Sequence, residues 1–137
     1  MQVNDRIVKT NSEIINLIRE GINPLDYIKD DVDMDLVCNA IAHVKVSEDP
    51  YWDDSAEILL KSIVFYLLFK GGETKTLSRC LEIVELGLND ANSRETIGKM
   101  LECDERSNVL FKAIEIASDK TYKSIFETLK DKLNEIL

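Results

Sequence analysis

Few residues in this chain are of types and spacings that could do chemistry. Asp31, Asp33 and Asp35 have the alternate spacing of the first ligands of a calcium loop. Such a loop also needs a glycine at its sixth position for the turn and a bidentate glutamate at its twelfth to close the cage. Leu36 and Ala42 stand there, so the three acids read as a solvated helix start, where the positive end of the helix dipole favours them. Gly71-Gly72-Glu73-Thr74-Lys75-Thr76 resembles the end of a phosphate-binding loop, but Thr74 occupies the place of the glycine that lets backbone N–H groups reach phosphate. It reads as an exposed turn between helices.

His43 is the only histidine, with no metal-binding partner at helical spacing and no nucleophile beside it in the sequence. Cys38, Cys80 and Cys103 are odd in number and far apart, which points to unreactive buried thiols in a reducing compartment rather than to disulfides or paired ligands. Tyr51 and Trp52 lie among acids and could form an aromatic ledge. Aromatics at a helix start more often pack as a staple, so Tyr27, Pro50, Tyr51 and Trp52 are read as structural anchors. The sequence therefore leads us to expect no catalytic residue, no metal and no cofactor.

The elements that must position these residues are helices. The chain has 137 residues, 45% of them hydrophobic and 31% charged, the size and mix of one globular domain. Pro24 and Pro50 are its only prolines, and hairpin turn chemistry is sparse. Apolar residues recur at helical steps over Ser12 to Glu20, Asp33 to Val44, Asp53 to Phe69, Thr76 to Leu86, Ser93 to Cys103, Ser107 to Ala117 and Asp119 to the C-terminus. Asn11 or Ser12 is expected to cap the first helix and Asp33 the second. The third stretch is apolar nearly all round, the pattern of a helix in the centre of a bundle. Its longest apolar run, Ile58 to Phe69, is too short for a membrane span of about 20 residues. Residues 1 to 10, with Asp5, Arg6 and Lys9, lack a secretory pattern, so we expect a cytoplasmic all-α bundle of about seven helices.

The net charge of −9 is concentrated. Residues 26 to 57 hold ten acids against Lys29 and Lys45, while the remainder is nearly balanced. If both acid-rich helix starts open on one side of the bundle, Asp30, Asp31, Asp35, Glu48, Asp49, Asp53 and Asp54 form a negative surface that steers a basic protein partner.

Three segments resemble the type IV secretion coupling proteins, TraG-like ATPases of conjugative DNA transfer. Asn23-Pro24-Leu25-Asp26-Tyr27-Ile28 is similar to the family's Asn-Pro-Phe-Asp-Tyr-Ile pattern. Asp49-Pro50-Tyr51-Trp52-Asp53, leading into Ala56-x-x-Leu59-Leu60-x-x-Ile63, resembles its Asp-Pro-Phe-Trp start of a long apolar helix. Lys120-Thr121-x-x-Ser124-Ile125 resembles its Lys-Thr-x-x-Ser-Ile stretch. The match covers residues 23 to 130, with residues 1 to 22 a boundary segment.

The resemblance implies the family's all-α domain, inserted in a motor that faces the cytoplasm. It further implies docking of a relaxase or a relaxosome accessory protein. Nucleotide-binding motifs and membrane helices do not occur in this sequence, so ATP hydrolysis, hexamer formation and membrane contact are expected of other parts of such a protein, and the isolated domain is expected to be monomeric. The alternative is DNA binding through Lys120, Lys123, Lys130 and Lys132 on the last helix. The acidic balance disfavours it, because DNA affinity comes largely from neutralising phosphates.

Overall fold

The computed structural model describes residues 10 to 137. Among these there are seven α-helices, one 3-10 turn and no strand. Asp5, Arg6 and Lys9, on which the expectation of no secretory pattern rests, lie outside the described residues. The helices are α1 (Asn11–Arg19), α2 (Asp31–Ala42), α3 (Pro50–Phe69), α4 (Leu77–Asn89), α5 (Ser93–Leu101), α6 (Glu105–Glu115) and α7 (Asp119–Ile136). The 3-10 turn, Pro24–Tyr27, lies between α1 and α2.

Side chains set where most helices begin. Thr10 Oγ1 accepts from the Glu13 N–H at 3.2 Å while the Glu13 carboxylate accepts from the Thr10 N–H, a reciprocal cap one residue before the expected Asn11 and two before Ser12. The cap of α2 is Asp30, not Asp33. Asp30 Oδ1 accepts from the Asp33 N–H at 2.9 Å, and the buried Asp33 carboxylate turns back to the Lys29 N–H at 3.0 Å. The backbone decides this, since Asp30 is extended whereas Asp33 already lies in the first helical turn. Asp49, Thr76, Asp104 and Ser118 cap α3, α4, α6 and α7.

Helix α3 is the axis of the bundle, packing against α2, α4, α5, α6 and α7. Leu59, Leu60, Ile63, Val64 and Leu67 are wholly buried on it. Each contributes about 1.5–3 kcal/mol relative to an exposed side chain. Helix α7 closes the core with Ile125, Phe126, Leu129 and Leu133. It lies so close to α4 that a Cβ on Gly87 would come 2.3 Å from the Phe126 ring, so only glycine admits this approach.

Of the four expected anchors, Trp52 alone packs on the core, and it is half-buried. Tyr51 is 47% exposed, with its ring edge-on to Trp52 at 5.0 Å. Pro50 is exposed and acts through its fixed backbone angle at the first turn of α3. Tyr27 is exposed because Pro24 and Leu25 seat the 3-10 turn instead. Asn23 secures that turn, accepting from the Leu25 N–H at 3.2 Å and donating to the Lys75 carbonyl at 2.8 Å.

Candidate functional site

The two acid-rich helix starts do not share a surface. Asn39 donates to Glu57 at 3.2 Å and Lys61 pairs with Asp35 at 2.8 Å, so α2 and α3 run antiparallel. Their starts therefore lie at opposite ends of the pair, separated by about the length of α2, whose 12 residues span roughly 18 Å. Most of the acids also have work inside the fold. Asp30 and Asp49 cap helices, Asp31 meets Arg106 at 3.5 Å, and Asp35 and Glu57 both hold Lys61. Glu48 and Asp54 are exposed.

Asp53 is removed from the expected partner surface, because it is 2% exposed. Lys132, likewise 2% exposed, donates to Asp53 Oδ1 at 2.7 Å and to the Lys45 carbonyl. The Ser47 N–H and hydroxyl complete the cage around the same carboxylate at 3.0 and 2.8 Å. Burial pushes the Asp53 carboxyl up, but the hydrogen bonds from Lys132 and Ser47 outweigh it and hold its pKa below the ordinary value. The clasp joins the start of α3, the loop before it and the end of α7.

Lys132 is thereby also lost to the expected DNA-binding patch. Lys130 is half-buried with Glu85 at 3.7 Å, which leaves Lys120 and Lys123 exposed at the other end of α7. Near that end Arg94 stacks over Tyr122 at 4.6 Å, donates to the Glu115 and Ala117 carbonyls and pairs with Asp119, while Ser93 and Tyr122 share a hydrogen bond at 2.8 Å. Ser93, Arg94, Asp119 and Tyr122 line a cavity of about 430 Å³, and the contacts of Arg94 tie α5, α6 and α7 together.

Asp31, Asp33 and Asp35 lie on a helix and face three different partners, Arg106, the Lys29 N–H and Lys61. No group of three metal-ligating side chains occurs among the described residues. Gly72 takes a positive φ of 84° in the turn before α4, and Thr76 caps that helix. Beside this turn Tyr66 donates to Glu73, which Arg79 also holds at 3.1 Å; burial and the anionic partner push the Tyr66 phenol up to about 12. His43 ends α2 with Nδ1 2.8 Å from the Asn39 carbonyl. Cys38 and Cys80 are buried, and burial pushes both thiols up, whereas Cys103 is exposed. No helix among the described residues is long and apolar enough to cross a membrane.

A feature missed in the sequence is the outward face of α6. Its inward side chains, Ser107, Phe111 and Ile114, are buried, yet Val109 is 62% and Ile116 84% exposed, with exposed Ala113 between them. At 100° per residue these form one stripe that begins at Arg106. The Arg106 guanidinium lies 4.3 and 4.4 Å from the centroids of Phe65 and Phe69, whose rings stack at 6.4 Å. The signal was present in the sequence: α6 has apolar residues on both sides where one side would suffice for packing. No family model, no curated protein and no solved structure matches the chain.

Proposed function

We propose that this chain is a non-catalytic substrate-docking domain of the conjugative coupling-protein kind, receiving a relaxase or a relaxosome accessory protein in the cytoplasm. The observation that carries the docking reading is the outward face of α6. Scattered exposed apolar residues are ordinary, but Val109, Ala113 and Ile116 fall on one line that ends at an arginine held over two aromatic rings. Arginine and aromatic groups are enriched in the cores of protein interfaces, where exposed apolar patches find their partners.

The resembling segments support the family part of the reading. Asn23 caps the 3-10 turn and Asp49 caps α3; Ser118, just before Lys120-Thr121, caps α7. They are the residues that decide where helices begin, which is what a shared all-α domain would keep. Protein is favoured over DNA because α7 lacks a continuous cationic track once Lys132 is buried and Lys130 is beside Glu85. The test is calorimetric titration with the purified relaxase and accessory proteins encoded beside this gene. One of them is expected to bind, and Val109→Gln with Ile116→Gln to abolish binding while leaving the melting temperature unchanged. Failure of all of them to bind would overturn the proposal.

A further inference from the structure

Residues 45 to 48, between α2 and α3, lie outside any helix and none of them is buried: Lys45, Val46 and Glu48 are exposed, Val46 at 71%, and Ser47 is half-buried. With no side chain in the core, such a segment is held by its hydrogen bonds. Those it makes all end on one pair of charges. Lys132 Nζ donates to the Lys45 carbonyl, and the Ser47 N–H and hydroxyl donate to the Asp53 carboxylate at 3.0 and 2.8 Å. We infer that residues 45 to 48 are a strap that the Asp53–Lys132 pair holds shut, and that loss of the Asp53 charge opens the strap and the last turn of α7 while the rest of the bundle stays folded.

The pair has no substitute. Asp53 and Lys132 are each 2% exposed, and among the described residues neither has another ion-pair partner. Helices α1 and α2 also pack on α7 and bring no charge within ion-pair distance of either. Once Asp53 is neutral, Lys132 is a desolvated charge with no counter-charge, which costs more than moving it into water. The way out is short. Lys132 lies four residues before the end of α7, so its departure unpacks Leu133 and Ile136 and frees the Lys45 carbonyl in the same movement. Ile63 and Leu67 lie about 15 Å or more along α3 from Asp53 and keep their packing. Burial raises the Asp53 pKa, but the hydrogen bonds from Lys132 and Ser47 hold it below the ordinary value, so the strap is shut at neutral pH and opens as pH falls through that lowered value.

The test is backbone NMR at neutral pH on the full chain and on Asp53→Asn, which removes the charge and keeps the shape. In the variant the helical Cα shifts of residues 133 to 136 are expected to fall by about half or more, and the heteronuclear NOE of residues 45 to 48 to drop, while Ile63 and Leu67 keep their shifts. Adding Lys132→Met to Asp53→Asn is expected to return both segments to the closed values, because no charge is then left buried alone. In the parent chain an acid titration is expected to move the same two segments before α3. An unchanged single variant, loss of order throughout the chain, or a double variant as open as the single one would overturn the inference. So would an acid titration in which all residues move in one shared transition.

Discussion

The two ends of α3 each carry an acid–base pair, and the pairs do opposite things. At its start Asp53 and Lys132 are buried at 2.7 Å, with Ser47 and the Lys45 carbonyl taking up further hydrogen bonds. Beside its end Asp31 and Arg106 lie 3.5 Å apart and are 80% and 46% exposed. Water solvates the second pair whether or not it forms, so it holds the fold weakly. Desolvation makes the first pair costly to build and more costly to break, because removing one partner leaves a charge buried alone. The buried pair specifies the structure; the exposed one leaves a guanidinium available to something else.

The sharpest test of this contrast is removal of the cation at each end. Lys132→Met is expected to destabilise the chain by about 3–5 kcal/mol in urea titration. The double variant Asp53→Leu, Lys132→Met is expected to recover most of that loss, because no charge is then left unpaired. A loss under about 1 kcal/mol for the single variant would show that water reaches the clasp. The same site sets an acid limit. The folded Asp53 pKa is depressed, so its contribution is fully present above the unfolded value of about 3.9 and is lost as pH falls through the lower folded value. Asp53→Asn is expected to flatten the pH dependence of stability in that acid window.

Next in size is Trp52→Ala. A fully buried tryptophan would cost about 3–5 kcal/mol, but Trp52 is half-buried, so we expect about 2 kcal/mol, read from the shift in the urea midpoint. Asp30→Ala removes the cap of α2 and is expected to cost about 1 kcal/mol, with a smaller effect if Asp33 were the cap after all. Smallest is Arg106→Met, expected to change stability by no more than about 0.5 kcal/mol. A larger loss would make that arginine a brace of α6 and weaken its reading as a binding anchor.

The sequence is most informative where the signal is local. Periodicity locates seven helices, and the apolar circumference of residues 53 to 69 identifies the central one. Cap positions are legible to within a few residues, and the shift from Asp33 to Asp30 shows why not better: both are aspartates, and only the backbone distinguishes them. Pairing is not local. Asp53 is 79 residues from Lys132, and Asp31 is 75 from Arg106, so a block of acids looks like an exposed surface until its partners are known. The α6 face is hard to read from the sequence for a different reason: Phe111 and Ile114 already account for packing, and Val109 and Ile116 continue the same amphipathic stretch.

Gly87 acts as an index mark between two helices. Phe126 rests where α4 has no side chain, and sliding α7 by one turn would drive the ring onto Ile83 and Val84 in one direction or off the end of the contact near Asp90 in the other. Antiparallel helices with apolar seams can dock in several alignments of similar energy, and a single notch that accepts one ring at one place removes that degeneracy. Among sequences that keep every apolar residue of α4 and α7, those with alanine at position 87 would be expected to lose uniqueness of docking, seen as broadened amide spectra, before they lose helix content.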